Sequence, residues 1–137
     1  MSPRDLFVRQ CQRAVHGDHA VVPLADFLIG NDDTASIAPN LIEHPGMPAF
    51  RRVFGELAQR LDVESLWAVV ELEHEAYPDD EWPFAAYVLV VTSAEVGVVQ
   101  AWVSELQADP CSETSADELP ENVNLPPGYR VVLVWWD

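Results

Sequence analysis

The chain of 137 residues contains no lysine, and this absence excludes several classes of functional site. P-loop nucleotide binding, Schiff-base chemistry and Ser-Lys dyads all need a lysine amine. The six glycines are scattered, so the sequence also lacks a Gly-x-Ser-x-Gly elbow and any glycine-rich phosphate loop. No motif in the sequence identifies a reaction or assigns the chain to a family.

Cysteine is scarce as well, with only Cys11 and Cys111, and they form no Cys-x-x-Cys or zinc-finger spacing. We expect two reduced thiols. No stretch approaches the roughly 20 apolar residues that span a bilayer, and the first ten residues lack the apolar core of a signal peptide. We therefore predict a cytoplasmic protein that contacts no membrane, and we predict no cofactor.

Basic residues are almost absent from the second half of the chain. Residues 62–137 hold sixteen Asp and Glu against one basic side chain, Arg130, whereas the first half is close to neutral; the formal net charge is −16. A concentrated negative field repels nucleic acid and attracts cations and basic protein surfaces. The charge pattern therefore argues against a nucleic-acid partner and favours a basic protein partner.

The length and the 49% of apolar residues fit a single domain over residues 1–137 with a substantial core. Hydrophobic periodicity and helix-start signals divide this domain into elements. In chain order they predict a helix over 3–16, loops over 19–48 with at most a short helix near 24–29, and a helix over 48–61. Strands over 66–73 and 84–92 follow, then a helix of about 13 residues after a Thr92-x-x-Glu95 capping box, and a strand over 129–136.

This order predicts an α+β fold with a small mixed sheet of about three strands, in the order β-β-α-β, covered by the N-terminal helices and one crossover helix. Because βαβ crossovers are right-handed and join parallel strands, the last strand is expected to lie parallel to the second. Both of these strands are apolar on both sides, which indicates cover on both faces of the sheet. A face that the helices left open would be available to a partner or to a second copy in a homodimer.

The candidate site is the acidic run at the end of the first predicted strand. Our first hypothesis is a non-catalytic binding protein that docks a basic protein there. In this hypothesis Trp82, flanked by Pro78 and Pro83, is an exposed aromatic anchor among the acids. The partner-binding residues would be Glu71, Glu73, Glu75, Asp79, Asp80, Glu81 and Trp82.

The alternative hypothesis is an enzyme or regulator that holds a divalent cation with the same carboxylates. The spacing matches no calcium loop, and a run of charges is more often solvated surface. The metal ligands would come from Glu71, Glu73, His74, Asp79, Asp80 and Glu81.

Two further patterns carry less information. The string His16-Gly17-Asp18-His19 matches the His-x-Asp-His of some binuclear metal hydrolases, but its expected position at a helix end favours a structural role. In size, acidity and aromatic residues among acids, the chain is similar in style to bacterial immunity and inhibitor proteins that neutralise basic toxins or nucleases. No residue motif carries this similarity, so it assigns no site residue.

Overall fold

The computed structural model describes residues 2–72 and 81–137, and in these ranges the chain forms a six-stranded sheet with helices. Every pair of neighbouring strands is antiparallel, in the order β1-β2-β3-β4-β6-β5. The strands are β1 (Val15–His16), β2 (His19–Pro23), β3 (Val63–Glu71), β4 (Ala85–Thr92), β5 (Ser112–Thr114) and β6 (Arg130–Trp135). The helices are α1 (Pro3–Arg13), α2 (Leu24–Leu28), α3 (Met47–Ala58) and α4 (Val96–Trp102), with short 3₁₀ helices at Thr34–Ser36, Ser104–Leu106 and Ala116–Glu118.

The α+β class is confirmed, and the sheet is larger than the three strands expected from the sequence. No helix in the described part of the chain is long and apolar enough to cross a membrane. The helix boundaries follow local signals. At the start of α1, the Ser2 hydroxyl accepts from the Asp5 amide at 3.1 Å, and the Asp5 carboxylate accepts from the Ser2 amide at 3.3 Å. This capping box lowers the pKa of Asp5 and fixes the first turn.

The first helix ends at Arg13, three residues earlier than predicted, because a β-hairpin follows it. His16 pairs with His19 across a two-residue turn, and Gly17 has the positive φ of 65° that a type II′ turn needs at its first central position. The His-x-Asp-His string is therefore a hairpin turn between β1 and β2, not the end of a helix.

The predicted capping box at Thr92 is wrong. Thr92 remains in β4, where its hydroxyl donates to the Asp62 carbonyl and accepts from the Ala94 amide at 3.0 Å. The N-cap of α4 is Glu95, without a side-chain hydrogen bond to the helix. The helix ends at Trp102, and the 3₁₀ turn at Ser104–Leu106 takes up the rest of the predicted length.

The parallel arrangement expected for the last strand is also wrong, since β6 pairs antiparallel with β4. The reason is a strand that the sequence did not reveal. After α4 the chain forms β5, which pairs antiparallel with β6 and so runs in the same direction as β4. The segment that contains α4 therefore joins β4 to β5, which run in the same direction. The last strand, β6, lies between them in the sheet and runs in the opposite direction.

The two faces of the sheet are covered by different parts of the chain. The helices pack on one side, which we call the helical face, where the main core includes Phe27, Phe50, Phe54, Val88 and Val90. The opposite side, the second face, carries a smaller core of Val21, Val69, Leu89, Val91, Leu119 and Val131.

A loop rather than a helix covers this second face. Leu119 and Val123 belong to residues 115–129, which we call the cover segment, and pack against the second-face core. The expectation that the N-terminal helices and the crossover helix would cover the whole sheet is therefore wrong, since α1 and α3, predicted over 3–16 and 48–61, pack on the helical face with α4. The central strands are nevertheless buried on both faces, as their apolar patterns predicted.

Candidate functional site: the acidic end of the sheet

A row of polar and aromatic side chains crosses the second face at the end where β3 stops. Strand pairing sets the row, because His16 lies opposite His19, His19 opposite Glu71, and Tyr87 opposite Trp135. The rings of His19 and Tyr87 lie 6.3 Å apart. Five strands thus contribute one side chain each to what we call the end row.

The cover segment adds carboxylates to the end row. The Tyr87 hydroxyl donates to the Glu118 carboxylate at 3.1 Å, and His16 Nε2 bonds the Asp117 carbonyl oxygen at 2.6 Å. Partial burial, reinforced by the nearby negative charge of Glu118, raises the pKa of Tyr87 to about 12. Glu121 follows on the same segment and is exposed. The cover segment therefore contacts the end row at Tyr87 and His16, and the same row contains Glu71 from about fifty residues earlier in the chain.

The charges of the molecule are segregated between its two sides. All seven arginines belong to the helical side: three are in α1, two are in α3, Arg60 lies over the Trp102 ring at 4.1 Å, and Arg130 pairs with Glu95 and Glu113. The strand residues that face the second side and the cover segment contain no arginine. Among the described residues, the acidic end therefore has no arginine to neutralise its carboxylates.

The residues predicted for the site have separate positions. Glu71 is partly buried in the end row, whereas Glu81 is exposed and its carbonyl accepts from Arg4 Nε at 2.8 Å near α1. The remaining predicted acids, Glu73, Glu75, Asp79 and Asp80, lie outside the described residues, and so does His74.

The expectation that Trp82 is an exposed anchor is wrong. Trp82 is 7% exposed, and its ring packs 5.3 Å from Phe7 and 6.4 Å from Phe27, measured between ring centroids. Its amide donates to the Asp33 carboxylate at 3.0 Å. Flanking prolines and acids suggested a solvent-exposed loop, but an indole is large enough to seal the core beneath α1, and burial prevailed.

Trp135 is the exposed aromatic that sequence reasoning did not select. It is 36% exposed, while its neighbour Trp136 is 8% exposed and donates from Nε1 to the Leu106 carbonyl. The two side chains face opposite sides of the sheet because successive residues of a strand alternate. Only the pairing of β6 with β4 shows that Trp135 stands beside Tyr87 in the end row.

For the metal hypothesis, residues 2–72 and 81–137 contain no group of three or more His, Cys, Asp or Glu side chains arranged to hold an ion. Four of the six proposed ligands lie outside these ranges. The hypothesis therefore depends on residues that the structure does not describe.

Comparison with known proteins assigns the chain to a family. The sequence profile described as "Uncharacterized protein YfbO family" matches residues 2–134. A protein of Escherichia coli (strain K12) described as "Uncharacterized protein YfbO" is 32% identical over 119 residues, which cover 85% of this chain and 82% of that protein. No solved structure shows a significant match to the chain.

Proposed function

The chain belongs to the YfbO family, and we propose that it is a binding protein without catalytic activity whose acidic end docks a basic protein partner. The observation that carries the proposal is the segregation of charge. Glu71 of β3 and the acids of the cover segment belong to the same side of the sheet, and the strand residues of that side contain no arginine. A charge spread evenly for solubility would not leave one side without cations.

The chemistry of the end row suits recognition. Trp135 and Tyr87 offer aromatic surface beside Glu71, Asp117 and Glu118, and partly exposed aromatics next to complementary charge are frequent energetic centres of interfaces. The surrounding negative field would attract a basic surface from a distance and align it before contact. We therefore expect fast association that slows steeply with salt.

The proposal includes a cytoplasmic location. Both cysteines are free in the structure, with Cys11 buried and Cys111 partly exposed, which fits a reducing compartment.

The test compares two variants with the same change in net charge. Asp117→Asn with Glu121→Gln neutralises two exposed acids of the cover segment, and Glu43→Gln with Glu56→Gln neutralises two exposed acids on the helical side. Wild type and both variants are used as baits in host extract, and retained proteins are purified. We expect a basic partner whose association rate falls roughly tenfold with the first variant and less than twofold with the second.

The salt dependence completes the test. For the purified partner, raising NaCl from 0.02 to 0.3 M should slow association with wild type strongly, and less steeply with the cover-segment variant. Equal losses with both variants, or an association rate that does not change with salt, would show that the acidic end is not the docking surface.

A further inference from the structure

A second surface lies on the helical face, away from the acidic end, where β3 begins. It is a groove of about 540 Å³ between α2, the C-terminal half of α3 and the start of β3. Apolar side chains dominate its walls, among them Leu24, Leu28, Ile29, Phe54 and Leu66. Ile29 at the rim is largely exposed. The volume and the apolar lining are those of a binding site.

One wall of the groove is an open strand edge. β2 ends at Pro23, opposite Trp67, whereas β3 starts four residues earlier at Val63. Among the described residues, positions 63–66 therefore have a neighbouring strand only on the side of β4. An extended chain can pair with such an edge, which supplies hydrogen bonds from its backbone while alternate side chains enter the adjacent groove.

Gly55 is the position at which the groove can be filled by a single substitution. It lies inside α3, lines the groove, and a Cβ at this position would meet no described atom within 4 Å. Glycine inside a helix costs about 1 kcal/mol relative to alanine. A larger side chain at this position would therefore extend into the groove without displacing described atoms and without weakening the helix.

The charged side chains around the groove indicate which kind of peptide would bind there. Arg51 is already engaged, since its guanidinium donates to the Asn31 carbonyl at 2.7 Å and to the Asp32 carboxylate at 3.1 Å. Glu64 is exposed on the open edge, where it accepts one hydrogen bond from Asn124 at 2.7 Å. Since opposite charges that face each other on neighbouring strands attract, this carboxylate favours a basic side chain opposite Glu64 on an added strand.

We propose that the groove binds an extended peptide segment of a partner protein, added as a strand to β3 at positions 63–66. Its side chains that point to the helical face are apolar and fill the groove beside Gly55, and a basic residue stands opposite Glu64. This surface is separate from the acidic end, so the inference does not depend on the docking function proposed above.

The test begins with a random octapeptide library displayed on phage and selected on the wild-type protein. Enriched peptides should alternate apolar residues and carry Lys or Arg. We expect Gly55→Leu to weaken their binding at least tenfold, because its side chain occupies the groove. The matched control Gly97→Leu, in α4 and also with open space around it, should change binding less than twofold.

Folding and backbone pairing are checked with the same reagents. Gly55→Leu should unfold at or above the wild-type temperature, since leucine is the better helix former, so lost binding would not reflect lost structure. Methylation of alternate peptide amides, which removes the donors that pair with β3, should also reduce binding at least tenfold.

Several results would overturn the proposal. One is a library that yields no enriched peptide, and another is peptides that bind Gly55→Leu as well as wild type. Peptide binding that does not change when the amides are methylated would show that side chains alone fill the groove and that no strand is added to β3. Dimerisation of wild type in sedimentation equilibrium that Gly55→Leu abolishes would identify a second copy of this chain as the occupant.

Discussion

Cys11 and Cys111 present the same chemical group in two environments, and their reactivity should differ accordingly. Cys11 is 0% exposed on the buried side of α1, and burial raises the pKa of its thiol to about 12. Cys111 is partly exposed; burial raises its thiol pKa as well. Since the thiolate is the attacking form, Cys11 should be inert at pH 8 while the protein is folded.

Titration with Ellman's reagent measures this difference. We expect one thiol per chain to react in the native protein and the second only on unfolding. The variant Cys111→Ser should remove the native reaction and leave the unfolded one. Two fast thiols in the wild-type protein would mean that α1 opens from the core on the time scale of labelling.

At the scale of elements, regular patterns were the predictable part. The stripe of Phe50, Val53, Phe54 and Leu57 predicted α3 because a helix that packs on one side repeats its apolar residues every three to four positions. Gly17 was ambiguous, since a positive φ serves a helix end as well as a hairpin. β5 is three polar residues, and only its pairing with β6 makes it a strand.

The cover segment is the element whose attachment can be measured most directly. Leu119 is buried against the second-face core, whereas the bond between Tyr87 and Glu118 lies at a partly solvated edge. We expect Leu119→Ala to lower the free energy of unfolding by about 2–4 kcal/mol through lost packing. Tyr87→Phe should lower it by only about 0.5–1.5 kcal/mol. Urea denaturation at pH 7 gives both values.

A control variant and the pH dependence of stability distinguish the contribution of the Tyr87 hydroxyl from that of its aromatic ring. Tyr129→Phe is the matched control, because the Tyr129 hydroxyl forms no hydrogen bond with any described residue. The raised pKa of Tyr87 means that the unfolded tyrosine ionises first, near pH 10, so wild-type stability is lost as pH rises from about 10 through about 12. Tyr87→Phe lacks this loss, and its deficit should shrink over that range. A constant deficit would contradict the assigned bond.

At the scale of the whole molecule, the sequence predicted an acidic surface but not where it would form. The negative charge of the second half of the chain is evident from the sequence, since residues 62–137 contain sixteen Asp and Glu and one arginine. Which acids share the second face with Glu71 depends on contacts between distant segments, such as His16 with Asp117. Trp82 was selected as the exposed aromatic in preference to Trp135, because exposure depends on which segments cover a residue, and local composition does not reveal that.

The excess of negative charge should also be measurable in the stability of the whole fold. Screening weakens the six ion pairs seen among the described residues, but these surface pairs are worth about 0–1 kcal/mol each and every one uses an arginine. The net charge of −16 leaves far more repulsion than attraction. Between 0.01 and 0.15 M NaCl the Debye length falls from about 30 to about 8 Å, and repulsion should win.

We therefore expect the unfolding midpoint to rise by about 3–5 °C over this range of NaCl, equivalent to about 1 kcal/mol. The comparison that gives the result its meaning uses Mg²⁺, Ca²⁺ and Mn²⁺ at matched ionic strength. Similar curves for the three ions indicate screening of the whole surface. A larger rise with one of them alone would show a specific ion site and favour the metal hypothesis for residues 71–81. A fall with NaCl would contradict the dominance of repulsion.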